Sequence, residues 1–244
     1  MSDTYRSSVE TFKEGAKFFE SRVAFMYGLI LAALYFIGAI VSTSLGLSVD
    51  TGSFVVLPFT LLALVVFIRV ALTDERETIE SFTYKEGLFP RYFKIITWIV
   101  LVGIALLPFI FFAGIIFGSL FVFGPLGVLL ASIVGVVLFI LTVYVGTGLA
   151  LTGTAIIDRN ESIQDSVELS WGSVKNHRFY LIKVYLITTA LYLFTAGVLA
   201  LIEVSGLSEV PLYVFTTIIV IAWQVLATSV YVKMYENLVP SSDT

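Results

Sequence analysis

No cysteine occurs in this chain. Disulfides, thiolate nucleophiles and zinc–thiolate sites are excluded with it. A single histidine, His177, removes His-rich metal sites, and a carboxylate site would have to gather ligands from several helix ends. Charge is scarce as well. Charged residues make up 13% of the sequence and hydrophobic ones 58%, against roughly 25% and 45–50% in soluble domains. So little charge cannot coat a water-exposed surface, and a mean hydropathy of +0.99 predicts lipid as the surrounding medium. No basic run points to nucleic acid, and the formal net charge is −4.

Catalytic signatures are missing too. No nucleophile elbow, His-Glu-x-x-His pair or Walker loop is present. The stretch "GTGLALTG" is glycine-rich but lies inside an apolar run and lacks the strand and lysine of a phosphate loop. The sequence therefore predicts no enzyme, no cofactor and no metal. Its polar start, with Asp3, Glu10, Glu14 and Glu20, predicts no cleavable secretory leader.

What is abundant is long apolar sequence. Six runs reach membrane-spanning length: about Val23–Ser42, Ser53–Leu72, Tyr92–Leu120, Pro125–Ile157, Phe179–Ile202 and Pro211–Val232. A helix needs roughly 20 such residues to cross about 30 Å of hydrocarbon. The runs are continuous, which separates them from the alternating segments of a β-barrel. The expected fold is all-α, a polytopic membrane protein of six transmembrane helices. The third and fourth runs are long enough that they must tilt, kink or project, and Pro108 predicts a kink in the third.

Basic residues fix an orientation. With the N-terminus inside and the spans alternating, all 14 lysines and arginines fall on the inner side, while the outer loops hold only Asp50, Glu203 and Glu209. Short-loop Lys/Arg bias sets topology. Both termini are expected in the cytoplasm of a plasma-membrane protein. No ionisable group falls at mid-membrane, which argues against a proton-coupled pump or voltage sensor.

A charged-to-apolar changeover occurs three times, at Ser8-Val9-Glu10, Thr78-Ile79-Glu80 and Ser162-Ile163-Gln164. Each opens a mixed segment that leads into a pair of spans. The chain reads as one integral membrane domain, 1–244, of three units, about 8–77, 78–161 and 162–244. The mixed segments predict amphipathic helices. Val9, Phe12, Ala16 and Phe19 form one apolar stripe, and Ile163, Val167, Trp171 and Val174 another. Ile79, Phe82 and Phe89 repeat the spacing, and Thr78 and Ser162 have N-cap chemistry.

Bases gather where the next span begins. Arg91, Lys94, Lys175 and Arg178, with Trp171 and Tyr180, are expected as anchors at the inner interface. Neutral polar side chains line one face in each of three spans: Tyr144, Thr147 and Thr154 in the fourth, Thr188, Tyr192 and Thr195 in the fifth, Gln224, Thr228 and Tyr231 in the sixth. They have two readings. One is helix packing with interhelical hydrogen bonds, helped by small residues such as Gly146, Ala150, Gly153 and the Gly114-x-x-x-Gly118 pair. The other is a neutral cavity open to the inside.

The stretch "SIQDSVELSWGSVKNHRFYLIKVYLI" resembles a family of prokaryotic six-span membrane proteins similar to the membrane domain attached to some glycerophosphodiester phosphodiesterases. The shared feature is a helix ending near Ser170-Trp171, a basic-polar turn at Lys175-Asn176-His177-Arg178, then a span. The catalytic barrel of those enzymes is missing, so the resemblance implies a membrane module without phosphodiesterase activity. Mitochondrial-type solute carriers also pair their spans in threes, but they place the surface helix between the two spans of a unit and carry a motif absent here. The expected function is a non-enzymatic structural or partner-binding module. Its partners are the lipid bilayer and another membrane or cytoplasmic protein. The alternative is a transporter or binding protein for a neutral or lipid-like small molecule.

Overall fold

The computed structural model describes residues 7–47, 52–72, 87–204 and 209–239. All regular secondary structure among them is helical: α1 (Ser8–Phe19), α2 (Arg22–Ser44), α3 (Gly52–Leu72), α4 (Leu88–Phe121), α5 (Gly124–Leu149), α6 (Thr152–Arg159), α7 (Ile163–Val174), α8 (Arg178–Val204) and α9 (Glu209–Leu238). Among the described residues six spans are long and apolar enough to cross a membrane, in α2, α3, α4, α5 continued by α6, α8 and α9. Length and composition thus mark a multi-pass membrane protein. The predicted segment around Thr78, Ile79 and Phe82 lies outside the described residues.

Exposed side chains carry the same message. Phe54 is 76% exposed, and Phe25, Ile40, Phe111 and Phe139 stand out almost as far. Soluble monomers seldom show contiguous apolar patches beyond a few hundred Å². Helices with this outer surface are at rest only in hydrocarbon.

Two compact units form, Met1–Leu88 with Phe179–Thr244, and Phe89–Arg178. In the first unit α2 packs on α3 and α9, and α1 lies along α9. Its core joins Ala24, Tyr27, Leu31, Phe67, Ile221 and Val225. Tyr27 stacks on Phe67 at 4.3 Å between centroids, and Phe18 reaches the same ring at 6.1 Å. In the second unit α7 packs on α5 and α6.

Helices α1 and α7 each start on a serine cap. Ser7 caps α1 and, with Glu10, closes a reciprocal capping box. Ser162 caps α7 by accepting from the Asp165 N–H at 3.1 Å.

Span lengths differ as expected. Helix α4 has 34 residues, about 50 Å at 1.5 Å per residue, and it runs through Pro108 without interruption. The fourth run does not remain one helix. It ends as α5 at Leu149 and resumes as α6 at Thr152. Helix α5 alone, at 26 residues, covers about 39 Å, so the break falls where the chain has already crossed. The apolar run masked it, because leucines on both sides continue the hydropathy signal.

Candidate functional site

The break between α5 and α6 frees backbone groups that must find partners. One side chain serves two of them. Ser170, wholly buried on α7, donates through Oγ to the Gly148 carbonyl at 2.7 Å and accepts from the Leu151 N–H at 3.1 Å. The Ala150 N–H turns back to the Thr147 carbonyl at 3.3 Å. Removing the hydroxyl strands a buried acceptor and a buried donor, each worth about 1–3 kcal/mol. Ser170→Ala should lower stability in detergent by about 2 kcal/mol or more, measured by chemical unfolding, whereas Ser173→Ala on the half-buried face should leave it unchanged.

Arg178 closes the same helix end. Its Nη1 donates to the Tyr144 carbonyl and to Thr147 Oγ1, the latter at 3.1 Å. Its Cζ lies 3.8 Å from the Tyr144 ring centroid and 4.7 Å from that of Trp171. The two rings meet edge to face at 5.7 Å. A cation here complements the negative C-terminal end of α5 and the negative faces of both rings. Nη2 of Arg178 is buried without a hydrogen-bond partner among the described residues, as are the hydroxyls of Thr152, Thr154 and Ser166. Trp171 packs directly on Gly148. A Cβ there would lie 3.0 Å from the indole Cδ2 and closer still to Cε3 and Cζ3.

A second cation caps α6. Asn160 adopts the left-handed conformation, φ 54°, and ends the helix. Lys94 of α4 sends its ammonium into the turn, 2.7 Å from the Asn160 carbonyl, 3.1 Å from its Oδ1 and 3.0 Å from the Glu161 carbonyl. Three oxygens saturate its three donors. Hydrogen bonds to a charged group contribute about 1.5–3 kcal/mol. Lys94→Met should therefore cost about 2 kcal/mol in the same unfolding assay, and unchanged stability would show that the turn closes without it.

Among the predicted anchors, Trp171 and Arg178 thus meet at the end of α5, and Lys94 caps the end of α6. Lys175 is exposed and caps α7 through its N–H to the Trp171 carbonyl. Arg91 sits half-buried in the first turn of α4. Tyr180 is buried in the first unit. Its hydroxyl is 2.7 Å from Thr11 Oγ1 and accepts from Asn237 Nδ2 at 3.0 Å. It ties α1 to α8 and α9.

The polar faces scatter. Tyr144 and Thr147 meet through Arg178, and Thr154 is buried in α6. The hydroxyls of Thr147, Thr188, Thr195 and Thr228 each donate to carbonyls of their own helix, three or four residues back. Tyr192 is half exposed and touches Trp223 at 5.6 Å. Tyr231 hydrogen-bonds Tyr185, joining α9 to α8. Gln224 keeps a buried Oε1 without a hydrogen-bond partner among the described residues.

Sequence reading missed Ser170, Gly148 and Asn160. A signal existed for the last, since asparagine before a serine cap tolerates the left-handed conformation that ends helices. The joint presents hydrogen-bond donors, carbonyls and aromatic faces, a set suited to holding helix ends together. No protein-family model, curated protein or solved structure matches the chain.

Proposed function

We propose that the chain is a non-enzymatic integral membrane protein of the plasma membrane, with both termini cytoplasmic, acting as a structural or partner-binding module. Three units build it, each an amphipathic surface helix followed by two spans. The surface helices form its cytoplasmic face, and the bases at their ends meet lipid headgroups.

One observation carries this reading. Helices α1 and α7 use the same docking device in different units. Thr11 and Gly15 stand four and eight residues after the Ser7 cap, and both are buried. Ser166 and Ser170 stand four and eight after the Ser162 cap, and both are buried. Small residues face inward, and two apolar side chains of α1 point out: Val9 is 53% exposed and Phe19 37%, while Phe18 packs on the core. Outward Val9 and Phe19 beside exposed Lys13 and Lys17 suit the interface of a membrane, or a partner lying on it.

A dye attached at Val9→Cys or Phe19→Cys should emit in vesicles with the blue shift of an apolar surrounding, while one at Lys13→Cys should report water. Equal, water-like emission from all three positions would contradict a membrane-seated α1. Gln224 favours the second reading, a carrier of a neutral or lipid-like molecule, because its unpaired Oε1 could accept from a solute. The Thr188, Thr195 and Thr228 hydroxyls, spent on their own helices, support the first. Solute flux in reconstituted vesicles, lost in Gln224→Leu with the fold kept, would favour the carrier.

A further inference from the structure

Helix α8 carries one lysine inside its apolar length. Lys183 is exposed, and no carboxylate among the described residues pairs with it. Its ammonium folds back one turn toward the helix start and lies 4.7 Å from the centroid of the Phe179 ring, itself 70% exposed. That direction is the snorkelling direction, toward the polar edge of a bilayer. At that edge the lipid phosphates are the counter-charge within reach of the ammonium.

The surface beneath it is apolar and continuous. Leu186, Ala190 and Leu193 follow Lys183 at helical spacing, and all are exposed. From Lys183 to Leu193 the helix rises about 15 Å, half the hydrocarbon thickness of about 30 Å. Cation and ring above, apolar stripe below: the sequence of chemistries matches one phospholipid, phosphate uppermost and acyl chain along the helix.

We infer that Lys183, with Phe179 and the Leu186–Ala190–Leu193 stripe, binds the phosphate and acyl chain of a phospholipid in the leaflet at the start of α8. This rests on reading α8 as a span. The phosphate replaces the missing carboxylate, and the ring shields the ammonium from water.

The test compares the detergent-purified full chain with Lys183→Met, Lys183→Gln and Lys183→Arg by native mass spectrometry, counting retained phospholipids. Wild type and Lys183→Arg should keep one more phospholipid per chain than either uncharged variant. Matching helical circular dichroism and elution volume establish that the exposed substitutions leave the fold intact. Equal retention in all four proteins would overturn the assignment. So would displacement of the lipid by excess inorganic phosphate, which would give the ammonium to a soluble anion. Alkaline extraction of the starting membranes separates the two readings. Protein released by alkali would sink the membrane topology itself, whereas protein that stays but shows no Lys183 effect would sink only the lipid site.

Discussion

Gly148→Val should expel Trp171 from the joint and cost about 3–5 kcal/mol, the range for losing a packed tryptophan. The glycine has no side chain because the indole occupies that space. The indole cannot step aside easily, since Arg178 and Tyr144 pack against it. In a background with Trp98 and Trp223 replaced by phenylalanine, emission of Trp171 should shift red and become open to acrylamide. Gly146→Ala is the control. Nothing lies within 4 Å of a Cβ at Gly146, so alanine there should be neutral or stabilising by up to about 1 kcal/mol. Equal outcomes at 146 and 148 would mean that Trp171 does not sit on α5.

Gly15→Val should detach α1 from α9. A Cβ at Gly15 would fall 2.5 Å from Val230 Cα and 2.8 Å from its backbone nitrogen. Backbone atoms in the middle of a helix cannot retreat as a flexible side chain can, so the whole of α1 has to lift. With it goes the contact of Thr11 with Tyr180. Overpacking of this kind costs about 3 kcal/mol, roughly a hundredfold in the local opening equilibrium. Trypsin should then cut after Lys13 and Lys17 far faster than in wild type. Ala16→Val, one residue on and half-buried, should cut at the wild-type rate. Unchanged cleavage in Gly15→Val would show that α1 does not rest on α9.

These two glycines explain why the packed faces were hard to read in advance. The spans themselves were legible: Val23–Ser42 became Arg22–Ser44, Ser53–Leu72 became Gly52–Leu72, and Phe179–Ile202 became Arg178–Val204. Hydrocarbon thickness imposes their length, and twenty apolar residues in a row admit little else. Helix-to-helix contacts follow another rule. In water an apolar stripe marks the face that packs; in lipid there is no hydrophobic drive between helices, and small residues that let backbones close mark it instead. The spacing of Val9, Phe12, Ala16 and Phe19 drew the eye, but the buried positions of α1 are Ser8, Thr11 and Gly15, with Gly15 on Val230 of α9 and Ser8 and Thr11 on Tyr180 of α8. The same inversion hid Ser170, one serine among several in "SVELSWGSV" until the break in the fourth run gave it two partners.

The polar faces of the last three spans follow a related rule. Threonine at helical spacing looks like the lining of a path. Here its hydroxyl answers its own backbone, a common resting place for threonine in an apolar helix. Tyrosine pairs and Arg178 do the work of joining helices.

Because the chain has no cysteine, each introduced thiol reports alone, and labelling intact cells with an impermeant maleimide tests the six-span topology most directly. Val122→Cys, between α4 and α5 and 83% exposed, should react from outside. Lys13→Cys and Lys175→Cys should react only after permeabilisation. Labelling of Lys13→Cys and Lys175→Cys from opposite sides of the membrane would contradict the alternating helices and the single basic face together.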